Sequence, residues 1–167
     1  MLGLAACSTT AITSTTQTQT MPTDTAAIPS TATTTVGTST VDEDGELPRT
    51  VLMVGDTELR VWVADDAEER TQGLRDVDGL PRDVDGMLFV FDTATPAIFV
   101  MEDTLIPLDV WFFDDEGALI GTHEMSPCSA GPCPRYPAPA PVRWALETPL
   151  GDQQFQSGDL LSTSASG

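Results

Sequence analysis

The sequence predicts a mostly β domain, a compact antiparallel sandwich or small barrel with one short helix, preceded by a disordered tail. Three observations carry that prediction. Apolar and polar residues alternate from Val51 to Val63 and again from Val142 to Leu146, the two-residue period of strands with one covered face. Gly86 to Phe91 is a continuous apolar run, as in a strand covered on both faces. Before Leu47, more than half of residues 8–41 are Ser or Thr, and nothing there has the apolar periodicity needed to offset the entropy of ordering.

Taken in order, the chain begins with Leu4-Ala5-Ala6-Cys7, a small-residue pattern before a Cys that matches a bacterial lipobox. The expectation is a signal remnant over residues 1–7 with Cys7 lipidated, although the basic and longer apolar regions of a complete signal are not among Met1 to Ala6. Residues 8–46 read as a disordered Thr/Ser-rich linker. As a flexible coil it would reach on the order of 30 Å, enough to hold a domain away from a membrane.

A single β-rich domain is expected over residues 47–161. Val51 and Met53, then Leu59, Val61 and Val63, form a hairpin about Gly55-Asp56. Ala64 to Leu74 reads as a short helix, with Asp65 as its cap, Glu68 completing a capping box and Gly73 ending it. After the strand at Gly86–Phe91, Asp92 to Pro96 is expected to turn the chain. Strands follow at Ile98–Met101 and Ile106–Phe113, and a hairpin through Asp114–Gly117 leads into Ala118–Met125. Six prolines between Ser126 and Pro141 exclude a helix or a central strand. Val142, Trp144 and Leu146 then share one strand face, and residues 162–167 are expected to fray.

Composition narrows the function classes. Acidic residues outnumber basic ones 26 to 7, for a net charge of -19, and the chain has neither Lys nor Asn. Such a surface repels phosphate backbones, so no nucleic-acid partner is expected. The expected partners are a membrane, through a lipid on Cys7, and an unknown envelope ligand or protein, with the domain itself a monomer.

Three ordered motifs carry a family resemblance: Glu69-Arg70-Thr71-Gln72-Gly73-Leu74-Arg75, Gly86 to Phe91, and Phe99-Val100-Met101-Glu102-Asp103-Thr104-Leu105-Ile106-Pro107-Leu108-Asp109. They resemble the bacterial and archaeal family called domain of unknown function 192. Its members typically read FWMKNT before an IPLD strand, then an acid-Gly hairpin, a Glu closing the return strand and a final Gly-Asp turn. Glu124 and Gly158-Asp159 match those last features. The resemblance implies a compact, mostly β fold and frequent export, and it implies no reaction. Val100, Glu102 and Asp103 stand where Trp, Lys and Asn are usual, which reverses the local charge.

Chemistry concentrates near Asp109, a carboxylate between Leu108 and the apolar run Val110–Phe113. With a four-residue hairpin loop, Asp109 lies opposite Thr122 and Glu124 sits diagonal to it on the same face. One reading makes Asp109 and Glu124 an acid/base pair of a hydrolase acting on envelope material. The plainer reading has Asp109 accepting hydrogen bonds from loop amides or an Arg, in a non-catalytic binding or structural module. Met101, Thr104, Asp109, Thr122, His123 and Glu124 are the candidate binding residues. His123 near Cys128 and Cys133 also permits a metal or Cys-His hypothesis. The simpler arithmetic joins Cys128 to Cys133 as a disulfide once Cys7 is lipidated, leaving no metal and no cofactor.

Overall fold

The computed structural model describes residues 47–163; Cys7, the Ser/Thr-rich segment and residues 164–167 lie outside that range. The strands are β1 (Arg49–Val54), β2 (Thr57–Ala64), β3 (Gly86–Thr95), β4 (Ile98–Val100), β5 (Leu108–Phe113), β6 (Leu119–Met125), β7 (Arg135–Pro137), β8 (Val142–Pro149) and β9 (Leu161–Thr163). One helix, α1 (Ala67–Gln72), lies between β2 and β3.

Seven strands form one sheet in the order β6-β5-β8-β3-β2-β1-β9, and β4 pairs with β7 in a separate ribbon. The sheet curls into a half-barrel whose two edges approach each other. Ala118 bridges Leu160, and the Leu119 amide donates to the Asp159 carbonyl at 2.9 Å. Strand pairing is antiparallel except between β2 and β3, which run parallel because α1 carries the chain back to the same end.

The curl divides the apolar residues between two faces. Leu52, Leu59, Val61, Leu88, Phe113 and Leu146 come from strands across the whole sheet and meet in one cluster, the inside of the half-barrel. Met87, Phe89, Val110, Phe112 and Ala145 project from the other face and pack with Leu74, Met101 and, partly buried, Phe99 and Tyr136. That second layer comes from the loop after α1 and from the β4–β7 ribbon. Strands β3 and β5 therefore bury both faces, which is why their sequences are continuous apolar runs.

Several local expectations shift. The cap of α1 is Asp66, one residue later than expected: its carboxylate accepts from the Glu68 and Glu69 amides at 2.8 Å, and Glu69 closes the capping box. Strand β3 does not turn at Asp92 but continues to Thr95, with an irregularity in its pairing to β8 after Val90. The same irregularity moves Val142 to the outer face, away from Trp144 and Leu146. Ser162 and Thr163 stay in β9, paired to Met53 and Leu52.

The β5–β6 register changes most for the site. The Asp114 carboxylate accepts from the amides of Glu116 and Ala118, and Phe113 pairs with Leu119. A bulge after Phe112 then sets Trp111 opposite Thr122 and Asp109 opposite Glu124. Thr122 is thus two pairs removed from its expected place beside Asp109.

Candidate functional site

Asp109 and Glu124 are cross-strand partners, yet they do not form a cleft. Asp109 is buried, and its Oδ2 accepts the Gly151 amide at 2.9 Å. Gly151 sits at φ +80° in the turn that follows β8, a backbone state that Gly adopts without strain. That turn aims its N–H back at the carboxylate. Beside them, Trp111 Nε1 donates to Thr148 Oγ1 at 3.0 Å, so the buried polar groups at this end of β5 and β8 are paired internally. Glu124 and Thr122 are exposed.

His123 belongs to the other face. It pairs with Val110, its Nε2 lies 3.0 Å from the Pro137 carbonyl oxygen, and its ring packs beside Phe112 and Tyr136. The proposed cluster at Asp109, Thr122, His123 and Glu124 is therefore split across the sheet. Cys128 and Cys133 are joined in a disulfide with Cα atoms 5.8 Å apart, which leaves neither thiol as a nucleophile.

The family motif folds into a turn. The Thr104 amide donates to the Met101 carbonyl at 3.2 Å, and Asp103 has φ +56°, a state that Asn and Asp tolerate better than most residues. Asp in place of Asn thus keeps the backbone. Glu102 pairs with Arg75 at 3.4 Å, so the acid that replaces the family's Lys has a cationic neighbour. Met101 is fully buried in the outer core, while Thr104 reaches a cavity.

That cavity, of about 390 Å³, lies between the outer face of the sheet and the covering layer. Phe89 and Phe99, edge to face at 5.1 Å, form its apolar wall with Leu74. Arg70 and Arg75 also line it, although the whole chain has only seven basic residues. Arg70 is fixed by the carbonyls of Asp65 and Val90 and lies over the Phe91 ring. Among the described residues the Arg75 guanidinium pairs only with the exposed Glu102.

Glu147 occupies the deep end. It pairs with Met87 on β3 and Val110 on β5, so it projects from the middle of the sheet, only 5% exposed, into the cavity. Gly86 allows the close approach of β3 here: a Cβ at that position would lie 2.2 Å from the Glu147 carbonyl oxygen. Among the described residues no cation or hydrogen-bond donor meets the Glu147 carboxyl, and burial alone pushes its pKa up to about 8. At neutral pH the group is mainly the protonated acid, able both to donate and to accept a hydrogen bond.

Sequence reasoning missed Glu147. The alternation placed Val142, Trp144 and Leu146 on one face and gave Glu147 no role. The only available signal was its place beside Ala145 in an otherwise apolar strand, and that signal is weak without knowledge of the covering layer.

A solved structure from Sinorhizobium meliloti, described as a "putative transcription regulator", is 27% identical. It aligns over 69% of this chain and 92% of its own, with a TM-score of 0.56. A protein of unknown function from Novosphingobium aromaticivorans, 22% identical, aligns over 76% and 94% with a TM-score of 0.63, and shares the fold. No functionally curated protein matches the chain. Residues 50–161, nearly all of the described domain, match the family described as Uncharacterized ACR, and the chain belongs to the domain of unknown function 192 family.

Proposed function

We propose that this protein is a non-catalytic small-molecule binding module of the cell envelope, tethered through a lipid on Cys7 and the linker of residues 8–46. The observation that carries the binding reading is the Glu147 carboxyl, which among the described residues has no hydrogen-bond partner and opens into a cavity. Burial penalises the charged form of this carboxyl, and a ligand in the cavity would supply the hydrogen-bond partners that the described residues do not. The cavity's size and its mix of aromatic wall and few polar groups fit a small-molecule site.

The Asp109–Glu124 hydrolase has less support, because Asp109 is held by a turn amide and Glu124 is exposed. The regulator description of the Sinorhizobium relative is not carried over, since a net charge of -19 opposes contact with nucleic acid. The envelope assignment rests on the lipobox-like segment and linker composition. Labelling cells with a radioactive fatty acid tests it: Cys7→Ser should abolish incorporation.

Glu147→Leu tests the binding reading. If Glu147 serves a ligand, the variant is more stable than the wild type by roughly 1–3 kcal/mol near pH 8. It also loses the thermal stabilisation that amide-bearing fragments give the wild type. A destabilised variant that keeps the fragment response would refute the reading.

A further inference from the structure

We infer that the cavity takes the C-terminal end of a short extended peptide, laid along the free edge of β4 with its carboxylate toward Arg75. This inference rests on the binding reading above and names its ligand class. Its first support is the unpaired edge of β4. The Ala138 amide donates to the Ala97 carbonyl at 2.9 Å, and β4 pairs with β7 through Ile98↔Pro137, Phe99↔Tyr136 and Val100↔Arg135. In an antiparallel ladder, bonded and non-bonded pairs alternate, so Phe99 faces β7 with its main-chain groups while Ile98 and Val100 turn theirs away. Pro137, which has no N–H, sits at a non-bonded position as this pattern requires.

The cavity is lined by Pro96 to Val100 and by no residue of β7, so it lies along that outward edge. Among the described residues the main-chain groups of Ile98 and Val100 have no hydrogen-bond partners, and both side chains are exposed. An edge with spare donors and acceptors is the feature to which an extended peptide adds as a strand. With two outward-facing residues on β4, a segment of about three residues satisfies it.

The other cavity groups match a peptide end. The buried Glu147 carboxyl presents a donor and an acceptor side by side, the complement of an amide's carbonyl and N–H. Phe89, Phe99 and Leu74 offer an apolar surface for one side chain. Among the described residues the Arg75 guanidinium is tied only by a 3.4 Å contact to a carboxylate with 62% of its side chain exposed, so it is free to exchange that partner for a terminal carboxylate.

The full chain, labelled with nitrogen-15, is titrated with four probes and followed through its amide resonances. The probes are a sequence-randomised pool of acetylated tripeptides with free carboxylates, the same pool C-terminally amidated, the pool N-methylated along its main chain, and octanoate. The acid pool should move the Ile98, Val100 and Glu147 resonances. Amidation should weaken binding about tenfold, and N-methylation should abolish it. Arg75→Ala should remove the preference for the free acid while the rest of the spectrum stays folded, and Glu147→Gln should retain binding. Octanoate shifting the cavity resonances while the peptides do not would overturn the peptide assignment and leave the binding module standing. A cavity unmoved by all four probes would overturn both.

Discussion

Asp109 and Glu147 are both 5% exposed, on neighbouring strands of one sheet, and their environments are opposite. Asp109 lies on the inner face, where the Pro149–Asp152 turn returns an amide to it at 2.9 Å. Glu147 lies on the outer face, where the layer above it leaves a cavity instead of a donor. Equal burial thus yields a structural acceptor in one place and an open valence in the other. What separates them is whether the chain supplies a hydrogen-bond partner, and burial alone cannot reveal that.

The largest expected effect breaks the comparison through pH. The folded Glu147 has a pKa near 8 against an ordinary value of 4.5, so between those values the folded state holds a proton that the unfolded state has lost. Its contribution to stability therefore falls as pH rises from about 4.5 to about 8 and levels off above, a change of roughly a few kcal/mol across the window. Urea melts of the wild type and Glu147→Gln over that range should differ in slope, with the steeper decline in the wild type. Parallel curves would show that Glu147 is solvated or paired.

Next comes Asp109→Ala, which removes the buried carboxylate that accepts the Gly151 amide and should destabilise the domain by roughly 1–3 kcal/mol. Denaturant titration checks it, and a neutral result would mean that water replaces the carboxylate. Smallest is Glu124→Gln on the exposed side of the Asp109 pair, expected within about 0.5 kcal/mol of wild type in the same titration. A larger loss would show that the two carboxylates act together.

Much of the fold was legible along the chain. The β1–β2 hairpin followed from alternation about Gly55, and β3 followed from its apolar run. The motif ending at Asp109 identified the family before any geometry was known. The site was less legible. The β5–β6 register depended on a loop that pairs Phe113 with Leu119 rather than Ala118 and on a bulge after Phe112, which together place Asp109 opposite Glu124 where a four-residue hairpin loop had set Thr122. His123 followed the period-two alternation onto the opposite face. The acid noticed first stood out because its neighbours are apolar, yet it is the satisfied one.

By itself the sequence determined the strand content, the single capped helix, the Pro-rich crossing and the acidity that opposes nucleic acid. These are local properties, set by period, capping chemistry and composition. Only the tertiary structure decided which face of β8 is covered and by what. Strand alternation says which residues share a face, but not whether the layer packed on that face returns a donor, an apolar side chain or empty space. For Glu147 it is a cavity, edged by a strand whose outward main-chain groups are unpaired among the described residues.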